Sequence, residues 1–120
     1  MIEFFENKKL FDVVFKIEKE KIYGHMAVIG ARSGILTVHF EKQKIFENGF
    51  VVVDVVAFCP VTVEHAIRFC YTDELPENLD LKELFLLHQF GRDYGIEDLV
   101  LVLESRIAES VDIFVISKEN

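Results

Sequence analysis

Residues 50 to 56 read Phe-Val-Val-Val-Asp-Val-Val, a run of β-branched side chains broken by a single carboxylate. The run is too short for a typical helix and too apolar to leave one face in water, so it predicts a strand buried on both faces. Sheet and helices must therefore pack together. Upstream, Asp12 to Glu18 places Val13, Phe15 and Ile17 on one face and Val14 on the other, the period of two that marks a strand. The short charged stretch Glu18-Lys19-Glu20-Lys21 predicts a turn into a second strand over Lys21 to His25.

From Met26 the period lengthens. Ala27, Val28, Ile29 and Ala31 predict a short apolar helix, and Ser33 before Gly34 predicts the cap of a second one through Thr37, Val38 and Phe40. Lys42 to Gly49 is polar apart from Ile45 and Phe46, ends in Asn48-Gly49, and reads as a loop. Cys59-Pro60 opens a helix with Val63, Ala66, Ile67 and Cys70 at i, i+3, i+4 and i+7. Leu81, Leu84, Phe85 and His88, with Gln89, trace the next helix, which Gly95 stops, and Ile96, Leu99, Val100, Leu103 and Ile107 trace the last. Residues 111 to 116 fit a short strand or helix equally, before a polar tail. Three strands and about five helices make an α+β (mixed α/β) fold: residues 1–11 as a short extension, 12–110 as the domain and 111–120 as the tail.

Chemistry is hard to find in these residues. Ser33 in Gly30-Ala31-Arg32-Ser33-Gly34 sits at the wrong offset for a nucleophile elbow, and a helix cap explains it. His25, His39, His65 and His88 fall on separate elements with no i, i+4 pair, which argues against a metal site. No phosphate loop or dinucleotide glycine pattern occurs, so neither a cofactor, a small-molecule substrate nor an enzymatic activity is expected. A formal charge of −8 with no basic cluster longer than Lys8-Lys9 repels polyanions, excluding nucleic acid as the natural partner. The longest apolar candidate, 50–63, carries Asp54 and Pro60 and does not suit a membrane span. The N-terminus, acidic from its third residue, does not resemble a secretory signal, so an intracellular location, cytoplasmic or nuclear, is expected. Cys59 and Cys70, in one helix with its entry turn, are expected to be inert core thiols.

The order of elements is more telling. Phe11-Asp12-Val13-Val14-Phe15-Lys16-Ile17, then Lys21-Ile22-Tyr23-Gly24-His25, then Ala27-Val28-Ile29-Gly30-Ala31-Arg32-Ser33 resembles the BTB/POZ domain family. Downstream, Phe69-Cys70-Tyr71-Thr72-Asp73-Glu74-Leu75 is similar to the family's aromatic-Tyr-Thr-x-x-Leu signature, and Tyr94-Gly95-Ile96 with Leu99 to its closing helical hairpin. The resemblance spans roughly residues 8 to 110. It implies a BTB/POZ fold, a small three-stranded sheet flanked by helical hairpins, in which Asp12, His25, Arg32, Ser33 and Tyr71 are structural motif residues.

It also implies an interaction module, usually a homodimer, that often joins a substrate receptor to a cullin ubiquitin-ligase scaffold. The alternative is a stand-alone dimerisation or scaffold domain, a transcriptional or cytoskeletal regulator, without cullin binding. Phe4, Phe5, Leu10, Phe11, Met26, Ile29 and Ile35 are candidates for a self-complementary patch, although apolar residues alone do not distinguish an interface from a core. Ile45-Phe46-Glu47 fits the family's hydrophobic-x-Glu cullin triplet, with an apolar anchor and an orienting acid. Only eleven residues precede Asp12, which argues against a strand-swapped dimer. Where corepressor-binding relatives place Arg or Lys after the motif histidine, this chain has Met26, so Asp12 must find other hydrogen bonds.

Overall fold

A computed structural model describes residues 10–42 and 46–119, with side chains at 46, 47 and 112–119 outside the description. Its strands are β1 (Val13–Ile17), β2 (Glu20–Gly24), β3 (Phe46–Glu47) and β4 (Phe50–Val55). Its helices are α1 (Met26–Arg32), α2 (Gly34–Lys42), α3 (Pro60–Thr72), α4 (Leu81–Asp93) and α5 (Glu97–Glu119).

The sheet runs in the order β2-β1-β4-β3. β1 pairs antiparallel with β2, Val13 opposite Gly24, and parallel with β4, Val13 opposite Val51. A parallel pair cannot be closed by a tight turn, so the chain between them crosses over through α1 and α2. The three expected strands are all present, and the stretch expected to be loop adds a fourth of two residues, β3. Asn48 and Gly49 take φ values of 54° and 85°, both positive as a type I′ hairpin turn requires, and so fold Phe46–Glu47 back onto β4.

Val13, Phe15 and Ile17 join Val51, Val53 and Val55 in the main core under the helices. Val14 and Val52, one residue out of phase, point to the other face and are also buried, as the uninterrupted β-branched run requires. α3 lies at the centre, packing on α1, α4 and β2, while α4 and α5 form the closing hairpin.

Two helices depart from expectation. On α4 the buried stripe is Leu84, Leu87, Phe90 and Gly91, whereas Leu81 and Phe85 are exposed. Leu84 of the expected stripe is buried, but the helix is apolar on two sides, and periodicity alone does not separate Leu84 from the exposed Leu81 and Phe85. α5 continues unbroken to Glu119, so residues 111–119 are helical rather than a separate tail.

Candidate protein-interaction surfaces

The motif residues close one polar network where β2 meets α1. Gly24 ends β2 against Ile29, where an added Cβ would lie 2.6 Å from its Cδ1, so any side chain there would have to displace the buried Ile29 side chain. The next residue, His25, is buried; its backbone N–H donates to Tyr71 Oη at 2.8 Å and its Nδ1 lies 2.6 Å from the same oxygen. Burial pushes the Tyr71 hydroxyl up to about 12, keeping it protonated for that role. Asp12 has the partner its sequence position seemed to lack: its Oδ1 accepts the Met26 backbone N–H at 2.7 Å, at the first turn of α1. A carboxylate at a helix N-terminus also opposes the positive end of the helix dipole.

Ser33 links α1, α2 and the closing hairpin. Its hydroxyl oxygen accepts the Leu36 N–H at 2.9 Å, capping α2 as expected, while the hydroxyl donates to the Tyr94 carbonyl in the turn before α5. Beside it, Arg32 bridges Asp73 at the end of α3 and Asp98 at the start of α5, the latter at 3.4 Å, and lies over the Phe69 ring at 5.3 Å. The hydrogen bond with Asp73 raises the Arg32 pKa and holds the Asp73 carboxyl below its ordinary value. These five residues therefore build the scaffold. Among the described residues, no three His, Cys, Asp or Glu side chains gather as a metal site would require.

The two cysteines differ. Cys70 is buried, and desolvation pushes its thiol up to about 12, as an inert core residue should behave. Cys59 is a correction: it is exposed at the N-cap of α3, and its Sγ lies 3.1 Å from Thr62 Oγ1, a bond that lowers its pKa. The sequence placed it near a buried helix but could not show which side of the entry turn it faces.

The candidate dimer residues scatter. Phe4 and Phe5 lie outside the described residues, as does Ile45 of the triplet; the side chains of Phe46 and Glu47 are likewise outside the description. Ile29 is 0% exposed, locked under Gly24, and cannot touch a partner; the periodicity of α1 marked it as apolar without showing which way it points. Leu10 is exposed, and Phe11 is half-buried, stacked on Tyr23 at 5.9 Å and tilted against His25 at 4.7 Å. Met26 lines a groove between α1 and α2 with Ala27, Gly30, Ala31 and Phe40. Ile35 lies elsewhere, at the end of an apolar depression of about 490 Å³ between α4 and α5. The structure thus separates Met26 from Ile35, which sequence had grouped.

Apart from Ile35 at its end, sequence reasoning missed that second region. The α4–α5 seam carries Leu101, 63% exposed, and Phe85, 51% exposed, beside a further depression of about 460 Å³ lined by His88, Glu104, Ile107 and Val111. Its signal was present in Leu81 and Phe85, read only as tracing the α4 helix.

Comparison with known proteins agrees with this architecture. Residues 1–110 match the sequence profile of the BTB/POZ domain. Among solved structures, the BTB domain of zebrafish PATZ1 is similar with a TM-score of 0.69 at 16% identity, covering 82% of this chain and 76% of that one. At that identity the likeness concerns the fold. No curated protein sequence matches.

Proposed function

The chain belongs to the BTB/POZ domain family, whose members are protein–protein interaction modules, and from that premise we propose a homodimerising adaptor that engages a cullin-type ubiquitin-ligase scaffold. The observation that carries the reading is the family match combined with the triplet Ile45-Phe46-Glu47 in this sequence. Support comes from the backbone at this point: Phe46 and Glu47 form β3, the terminal strand of the sheet, next to the exposed Asn48–Gly49 turn. The acid of the triplet, Glu47, therefore belongs to a short edge strand backed by β4, which costs little ordering entropy on binding.

For self-association, the α1–α2 groove is the better-supported surface. Ala27 and Ala31 are exposed one helical turn apart beside Met26 and Phe40, and small side chains let a second helix approach. The scaffolding network of Asp12, His25, Arg32, Ser33 and Tyr71 holds that hairpin against the core.

Pull-down of a purified cullin tests the adaptor reading. The wild-type chain is expected to retain the cullin, and Ile45→Ala with Glu47→Ala is expected to lose it with an unchanged circular-dichroism melt. Equal capture by the double variant rejects the triplet, and no capture by the wild-type chain favours the stand-alone scaffold.

A further inference from the structure

We propose that the α4–α5 seam is a docking site for a basic amphipathic helix of a partner protein, laid lengthwise as a third strand of a helical bundle. The spacing of the exposed residues makes the case. On α5, Glu97, Leu101, Glu104, Ala108 and Val111 follow one another at intervals of four, three, four and three. On α4, Leu81, Phe85, His88 and Arg92 repeat the same intervals. This is the heptad spacing by which one helix receives the knobs of another, and here it lies outside the stripes that hold the core, Leu84, Leu87 and Phe90 on α4 and Leu99 and Leu103 on α5. Each helix has one apolar side in the core and a second side in water.

Both depressions open on that second side. One is lined by Arg92, Glu97, Val100 and Leu101 and bounded by Ile35; the other is lined by Phe85, His88, Glu104, Ile107, Ala108 and Val111. From Glu97 to Val111 the seam extends about 21 Å at the α-helical rise, room for about four turns of a partner helix. A helix fits such a seam better than a strand, because the backbone hydrogen bonds of α4 and α5 are already made internally and no sheet edge is on offer there.

Charge defines the occupant. Residues 80–111 carry three basic and seven acidic side chains, and Arg106 is turned away, donating to the Pro76 carbonyl at 2.6 Å. Within the seam Glu104 lies 3.3 Å from His88, and Arg92 lines the same depression as Glu97, but the helices around it remain acidic on balance, so a helix with Lys or Arg flanking its apolar stripe complements it. A second copy complements it less well, because two such seams would bring two net-acidic hairpins together.

Fluorescence anisotropy on the full chain tests this with a labelled helical peptide of about 18 residues, Leu at heptad positions and Lys beside them. Saturable binding is expected, weakened at least about tenfold when the same residues are scrambled or each Lys becomes Glu. Phe85→Ser with Leu101→Ser is expected to cause a similar loss without moving the thermal melt, since both side chains are exposed; Val56→Ser with Val61→Ser, exposed elsewhere, is expected to leave binding intact. Ile45→Ala with Glu47→Ala is also expected to leave it intact, which separates this site from the cullin triplet. Equal binding of the scrambled peptide, indifference to the seam variant, or no saturable binding overturns the proposal. So does a dimer in sedimentation that the seam variant dissociates, because the occupant would then be a second copy.

Discussion

At the scale of single residues, burial decides chemistry. Cys59 and Cys70 lie on the same helix and its cap, yet the Thr62 hydrogen bond lowers the pKa of the exposed one while desolvation raises the other to about 12. Thiolate is the reacting species, so one thiol per folded chain is expected to alkylate at neutral pH, its rate climbing as pH rises toward the lowered Cys59 value and then levelling. Cys70 is expected to react only after unfolding, and Cys59→Ser is expected to abolish the native reaction; two rapid equivalents in the folded state contradict the assignment. Tyr71 poses the complementary test. Tyr71→Phe keeps the ring in the core but strips the hydroxyl from the His25 N–H and Nδ1, leaving buried polar groups without that partner. A loss of about 1–3 kcal/mol in urea denaturation is expected, against little change for exposed Tyr23→Phe.

At the scale of elements, caps and turns fix where helices begin and strands reverse, and these were the parts most legible in the sequence. Period-two patterning located β1, the continuous β-branched run located β4, the Ser33 cap located α2, and Pro60 located α3. Ser33→Ala removes both the α2 cap and the tie to the Tyr94 carbonyl, so a destabilisation of about 1–2 kcal/mol is expected in chemical denaturation; Ser33→Thr, which keeps the oxygen, is expected to recover part of it. What stayed illegible has physical causes. Leu81 and Phe85 are apolar and correctly spaced, yet which of α4's two apolar sides faces the core depends on the approach of α3 and α5, which no local window contains. Residues 111–116 alternate and repeat in ways that suit strand or helix, and continuation from a long helix decided the matter in favour of helix. The Asn48-Gly49 pair was visible, but its partner strand is only two residues long, too brief for any periodicity to announce β3. Asp12, His25 and Tyr71 were legible only through the resemblance: nothing in their spacing reveals that they meet.

At the scale of the whole molecule, charge is unevenly divided. Residues 1–44 hold eight basic and six acidic side chains, a net +2, while residues 45–120 hold five and fifteen, a net −10. Two copies approaching through their C-terminal halves repel one another, whereas the α1–α2 face belongs to the nearly balanced half. A homodimer built on that face is therefore expected to be held mainly by apolar contact and to respond weakly to salt. Ala27 gives a clean way to test it, because the side chain is exposed and lines the groove, so Ala27→Glu places a charge in the interface of both copies at once by two-fold symmetry. Sedimentation at micromolar concentration is expected to show a dimer for the wild-type chain at both low and high salt, and a monomer with an unchanged melt for Ala27→Glu. A wild-type dimer that survives the substitution places the interface elsewhere. A dimer that forms only at high salt would mean the acidic halves are being screened into contact, and the two-fold axis would have to be moved to the opposite end of the molecule.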